Sequence, residues 1–235
     1  MNLSLRMVHF TPSDFSALAV LALAWLVSGF VIDSPPKRHL SVAVLMSRYR
    51  RDWMVQMVAR DPRIFDAQTL SSLRQGMAFF ASASMIAIGG CLALMGNLER
   101  LIGIAGDLTR ETSPAVVWEI KLLVVLFFLV NAFLKFVWVN RLFGYCAVLM
   151  ASVPNDPEDA IALPRARKAG EINITAARSF NRGLRSLYFS LAVLAWLIGP
   201  VVLMLAVCVT SVVLLRREFA SQSRKILMQD EHTQL

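Results

Sequence analysis

The sequence predicts an all-α integral membrane protein: four transmembrane helices and two basic amphipathic helical segments on the inner face, in a single membrane domain. Three observations carry that prediction. Hydrophobic residues fill 57% of the 235 positions and charged residues 17%, against about 45–50% and about 25% in an ordinary soluble domain. The apolar residues stand in long uncharged runs, and ten-residue alternating segments are absent, which excludes a β-barrel. The basic residues are gathered between the runs, so the net charge of +8 belongs to loops and gives no reason to expect nucleic acid as a partner.

Four runs are long enough to cross a hydrocarbon core ~30 Å thick, which takes about 20 helical residues. The first covers 15–32. Thr11 is placed to cap it, with Pro12 at the first helical position and Asp14 at the third. Arg6 before it and Lys37-Arg38 after it, with no small-residue cleavage site, mark a retained anchor rather than a signal peptide. The second covers 76–98. The third covers 118–139, with Lys121 near its start and Lys135 within it. The fourth covers 187–215, where Gly199-Pro200 is expected to kink a continuous helix.

The distribution of Lys and Arg sets the orientation. Segment 33–75 carries Lys37, Arg38, Arg48, Arg50, Arg51, Arg60, Arg63 and Arg74, and segment 140–186 carries Arg141, Arg165, Arg167, Lys168, Arg178, Arg182 and Arg185. Both are expected on the cytoplasmic side of the inner membrane. The connection holding Arg100 and Arg110 has more acids than bases (Glu99, Asp107, Glu111 and Glu119) and is expected outside. An even number of spans then leaves both termini outside. Arg216, Arg217, Arg224 and Lys225 stand against that last inference.

Both basic segments read as helices lying on the inner membrane surface or on each other. In the first, Ser41 caps a helix that runs to about Arg60, before Asp61-Pro62. Its apolar stripe is Val42, Leu45, Met46, Tyr49, Trp53 and Met57, and a second helix starts after Asp66 and runs on into the second span. In the other segment a helix from about Arg167 leads into the fourth span. Ile172, Ala176, Phe180, Leu184 and Leu187 form its apolar side, opposite Glu171, Thr175, Arg178, Arg182 and Arg185. Topology and attraction to anionic headgroups, about 1 kcal/mol per basic residue, account for most of these arginines. The sharper expectation is that the Arg178, Arg182 and Arg185 row holds a phosphate or carboxylate.

Chemistry has few candidate residues. An ionisable side chain inside a membrane is a functional candidate by default, and here Lys121 and Lys135 qualify, about 21 Å apart along one helix face with Phe128, Asn131 and Trp138 between or beside them. Snorkelling of Lys121 to the outer interface and Lys135 to the inner one is the simpler account; an anion path along the stripe is the alternative. His9, His39 and His232 lie outside the spans, so bis-histidine haem ligation is not available. Cys91, Cys146 and Cys208 read as packing residues. No metal, cofactor or catalytic residue is expected. On the second span Ser82, Ala83, Ala87, Gly90 and Cys91 present small side chains suited to close helix packing, within the chain or between copies.

RYRRDWMVQMVARDPRIFDA (48–67), MAFFASASMIAIGGCLAL (77–94), NAFLKFVWVNRLFGY (131–145) and SFNRGLRSLYFSLAVLAW (179–196) together resemble a bacterial and plant membrane family, domain of unknown function five hundred and ninety-nine. The resemblance implies four spans and, as signature-like positions, Arg51, Trp53, Arg63, Asp66, Phe80, Ser82, Gly90, Lys135, Trp138, Arg141, Asn181, Arg182, Arg185 and Trp196. It implies no activity. The inner ends of the third and fourth spans, with Lys135, Arg141, Asn181 and Arg182, are expected to form a charged junction completed by Asp66 or Asp52. The expected function is a non-enzymatic homo-oligomer, or an accessory subunit of a membrane complex, in contact with anionic lipids; the alternative is a small-anion channel or transporter using Lys121, Asn131 and Lys135.

Overall fold

The computed structural model describes residues 10–36, 38–100, 102–103 and 114–229. Arg6, His9, Lys37, Asp107, Arg110, Glu111 and His232, used above in the charge and histidine arguments, lie outside the described residues. Among the described residues every regular element is a helix: α1 Pro12–Asp33, α2 Val42–Met57, α3 Ile64–Gly96, α4 Ala115–Ala151, α5 Ala162–Leu194, a 3-10 turn Ala195–Leu197, α6 Pro200–Phe219 and α7 Gln222–Leu227. Four stretches are long and apolar enough to cross a membrane: Pro12–Asp33, Ile64–Gly96, Ala115–Ala151 and Pro200–Leu227.

The helix starts follow local chemistry. Thr11 precedes Pro12, and the Asp14 carboxylate accepts from the Thr11 backbone N–H at 3.0 Å, closing the first turn of α1. Ser41 accepts from the Val44 N–H at the start of α2 and donates to the Ile32 carbonyl at 3.0 Å, which ties α2 to the end of α1. The α3 helix runs unbroken into the second apolar run as expected, but it starts at Ile64, so that Asp66 stands in its first turn rather than before it, and it ends at Gly96.

The fourth run differs from expectation. Gly199-Pro200 does not kink one helix; it separates two, because proline has no N–H to donate and its ring clashes with the preceding turn. Pro200 opens α6, which returns antiparallel to α5, and residues 187–198 belong to the end of α5 and its terminal turn. Arg217 donates to the Tyr188 hydroxyl at 3.1 Å, Glu218 accepts from the Ala43 N–H at 3.1 Å, and Arg224 donates to the Leu40 carbonyl at 2.9 Å. At the other end of the bundle the Trp196 indole donates to Asp14 at 2.7 Å. The start of α1 and helix α7 therefore lie at opposite ends of the bundle, an Asp14 end and an Asp33 end.

The α4 and α5 helices pair antiparallel over most of their length. Lys121 meets Trp196, Phe128 stacks on Phe189 with centroids 6.2 Å apart, Phe136 packs on Phe180, and the Cys146 thiol donates to the Ala169 carbonyl at 3.5 Å. The face of α5 that is buried consists of small residues, among them Ala162, Ala166, Ala169, Gly170, Ala176 and Gly183. Of the expected apolar side only Ala176 is fully buried; Ile172 and Phe180 pack at its margin. The reason is steric: Phe136 and Phe143 of α4 are both fully buried, and large rings on one helix require small residues on the other if the axes are to approach.

On α2 the buried residues are Leu45, Met54 and Met57, while Met46 and Tyr49 of the expected stripe are exposed. The helix turns Met54 onto Gly170 of α5, and Arg51 pairs with Glu171 at 2.6 Å. On α3 the small-residue face is divided: Cys91 is buried and its thiol approaches the Leu122 carbonyl, Ala83 is half-buried, and Ser82, Ala87 and Gly90 face outward.

Gly183 tests the α4–α5 contact directly. A Cβ built there lies 2.7 Å from the Phe136 ring, which is fully buried and has no room to retreat. Gly183→Ala should lower stability by about 1–3 kcal/mol in thermal unfolding in mild detergent, and Phe136→Leu in the same chain should restore part of the loss.

Candidate functional site

Asp33 closes the last turn of α1, and two arginines of α5 converge on it. Arg182 donates from Nε at 2.7 Å and Arg185 from Nη2 at 2.9 Å, both to Oδ2. Three residues apart on a helix, the two arginines share a face. Arg185 is 5% exposed and its guanidinium lies 3.8 Å from where a Cβ on Gly29 would stand. Asn131 and Lys135 of α4 complete the lining, with Trp25, Leu26, Phe30 and Ser186, around a cavity of about 430 Å³.

The electrostatics of this cleft are one-sided. Three cations line it and Asp33 is the one carboxylate among its lining residues. That carboxylate is already shared by two arginines. Among the described residues Lys135 makes no ion pair. The lining therefore carries two more positive than negative charges; Arg185 is buried, Lys135 half-buried and Arg182 largely in the open, so the cleft has a positive potential that attracts anions.

Four of the sequence-predicted residues, Asn131, Lys135, Arg182 and Arg185, are thus brought together. The others are elsewhere. Lys121 is buried rather than extended to a surface: its ammonium lies 5.3 Å from the Trp118 ring and 5.8 Å from the Trp196 ring, within reach of Asp14's charge. Arg141 pairs with the Tyr145 hydroxyl at 2.6 Å. Arg178 is exposed near Glu171. Asn181 lines a separate cavity with Arg50, Arg217 and Glu218.

Asp66 does not complete the charged junction. It is fully buried and accepts from the Trp53 indole at 2.6 Å and from Arg60, because the turn around Asp61-Pro62 folds the end of α2 back onto the first turn of α3. Beside it Arg63 donates to the carbonyls of Val153 and Pro154, each at 2.7 Å, fastening α3 to the end of α4. The carboxylate that sequence reasoning missed is Asp33. Its signal was its place as the one acid at the basic end of the first run, just before Pro35-Pro36.

Between the two basic segments, the hydrogen bond from Arg51 and then the charges of Arg51 and Arg178 hold the Glu171 carboxyl below its ordinary range. Burial lowers the Arg50 guanidinium from its ordinary value; it donates to the buried Asn173 amide oxygen. These contacts lock α2 to α5. Among the described residues no group of three or more His, Cys, Asp or Glu is arranged to hold a metal.

A family model described as "Protein of unknown function, DUF599" matches residues 16–223, and the chain belongs to that family. No curated protein and no solved structure matches it.

Asp66→Ala should be destabilising by about 1–3 kcal/mol, chiefly because it leaves the Trp53 N–H without its buried acceptor; Arg60, itself partly exposed, adds less. Thermal unfolding and membrane abundance measure this; unchanged values in both would remove the structural role of that pair.

Proposed function

We propose that this member of the DUF599 family is a non-enzymatic inner-membrane protein that crosses the bilayer five times and holds an anionic group in the Asp33 cleft at the cytoplasmic face. The observation that carries the reading is the gathering of Lys135, Arg182 and Arg185 around one carboxylate. Oxyanions suit arginine, whose planar fork offers paired donors.

The five-crossing arrangement is supported by two polar layers, Asp14 with Trp196 and Asp33 with Arg182 and Arg185. Along α1 they stand about 28 Å apart at ~1.5 Å per residue, close to the ~30 Å of a hydrocarbon core. The outer half of α5 supplies a crossing that a count of apolar runs merges with the next, since the rest of α5 is polar. With α6 returning, Arg216, Arg217, Arg224 and Lys225 fall on the same side as the two basic segments, as the positive-inside rule requires. The start of α1 is then outside and α7 inside.

Passage of an anion along α4 draws less support, because Lys121, the second station of such a path, is buried against Trp118 and Trp196 and does not line the cleft. Assembly with a second copy or a larger complex is compatible with anion binding; the outward Ser82, Ala87 and Gly90 of α3 favour that helix as the contact.

Inorganic phosphate should raise the unfolding midpoint of the purified protein above that in chloride at equal ionic strength. Lys135→Gln should remove most of the increase. Asp33→Asn should lower the midpoint in chloride by leaving two arginines unpaired, and should enlarge the increase in phosphate. Identical midpoints in both salts for all three proteins defeat the reading. For topology, single cysteines at positions 61 and 223 in a chain lacking the native ones should be shielded from a membrane-impermeant reagent in intact cells, and one at position 99 should react; labelling at 223 with protection at 61 defeats the five-crossing count.

A further inference from the structure

Asn131 lines two cavities. One is the cationic cleft. The other is an apolar groove of about 420 Å³ formed by Leu123, Leu126, Phe127, Val130 and Leu134 with Asn131. Trp25 joins their walls, since its ring borders the cleft and packs edge-on to Phe127 with centroids 6.0 Å apart. From Lys135 the groove runs along α4 away from the Asp33 end. Leu123 and Leu134 stand about 16 Å apart along the helix axis, which is about half of a ~30 Å hydrocarbon core.

We infer that the occupant of the Asp33 cleft is an anionic phospholipid of the leaflet on that side, with its phosphate among Lys135, Arg182 and Arg185 and one acyl chain along the Leu123–Leu134 groove; this rests on the anion-binding reading above. The walls of the cleft decide between a lipid and a free oxyanion. Leu26 and Phe30 on its α1 side are 61% and 73% exposed while Arg182 on its α5 side is also open, so the cleft borders an apolar surface on one side and a charged one on the other, as a site at headgroup level does. A soluble oxyanion entering there gains only the cations and leaves the exposed Leu26 and Phe30 surface uncovered. A phospholipid already has its chains in hydrocarbon and its phosphate at headgroup level, so the same site costs it little desolvation. The excess of positive charge selects an anionic headgroup over a zwitterionic one, because a choline or ethanolamine ammonium would enter a site of net positive charge whose one carboxylate is already shared by two arginines.

Titration of the delipidated full chain in mild detergent with dipalmitoyl phosphatidylglycerol, followed by native mass spectrometry, should show saturable retention of one lipid per chain. Dipalmitoyl phosphatidylcholine should be retained at least about tenfold more weakly, and so should dihexanoyl phosphatidylglycerol, which keeps the headgroup and shortens the chain. Lys135→Gln should weaken phosphatidylglycerol about fivefold, as expected for one basic residue near a headgroup. Leu134→Trp, which fills the groove and touches no cation, should weaken the long-chain lipid and leave the response to inorganic phosphate unchanged. Equal retention of phosphatidylglycerol and phosphatidylcholine, or of short and long chains, overturns the lipid assignment. Stabilisation by phosphate in that event leaves the anion-binding reading standing, whereas loss of both responses removes the two together.

Discussion

The antiparallel contact between α4 and α5 is the constraint to which the rest of the bundle is referred. It depends on small residues of α5 meeting the rings of α4, most tightly at Gly183 and Phe136. Because the fit is specific, it sets register as well as distance. One register places Lys121 beside Trp196 and, at the same time, brings Asn131 and Lys135 level with Arg182 and Arg185. A slip of a single residue turns a helix by about 100° and would scatter both groups. The packing of uncharged residues thus decides where the charges meet.

Asp33 has the corresponding role for the polar groups. Two arginines of α5, one of them buried, converge on one carboxylate at the end of α1 that serves both. It thereby links α1 to α5 and fixes the depth at which the positively charged cleft is set. Its charge is insufficient for the whole group, and Lys135 is left outside the arrangement. At the opposite end, Asp14 combines two tasks in one side chain: it closes the first turn of α1 and accepts from Trp196. Each end of α1 therefore carries one acid that ties it to α5 or to the turn that follows α5.

Much of this was legible in the residues. Uncharged runs marked the apolar helices; Thr11, Pro12 and Asp14 marked the start of α1, and Ser41 that of α2, because caps and proline act through neighbouring atoms. Asn131, Lys135, Arg182 and Arg185 were legible as candidates because they interrupt or border apolar surface. What was not legible depended on partners distant in sequence. Asp33 looked like an ordinary loop-side acid until α5 was laid against α1. Lys121 had the composition of a snorkelling residue, and only the approach of Trp196 made a buried position favourable. The break at Gly199-Pro200 was visible, but whether the chain bends or reverses there depends on what α6 finds to pack against. The apolar side assigned to α5 failed for a related reason: hydrophobicity indicates what avoids water, whereas large rings opposite demand what is small.

The last helices also bear on the order in which the molecule is completed. Glu218 supplies an acceptor to the Ala43 amide in the first turn of α2, and Arg224 holds the Leu40 carbonyl just before it. Those two backbone groups meet these side chains only after a segment some 175 residues further along the chain has been made. Until that segment is made, the tie from the link between the first two helices to the end of the first is the Ser41 hydroxyl on the Ile32 carbonyl; nascent chains arrested before residue 218 should therefore keep the link more open to proteases than the folded chain does.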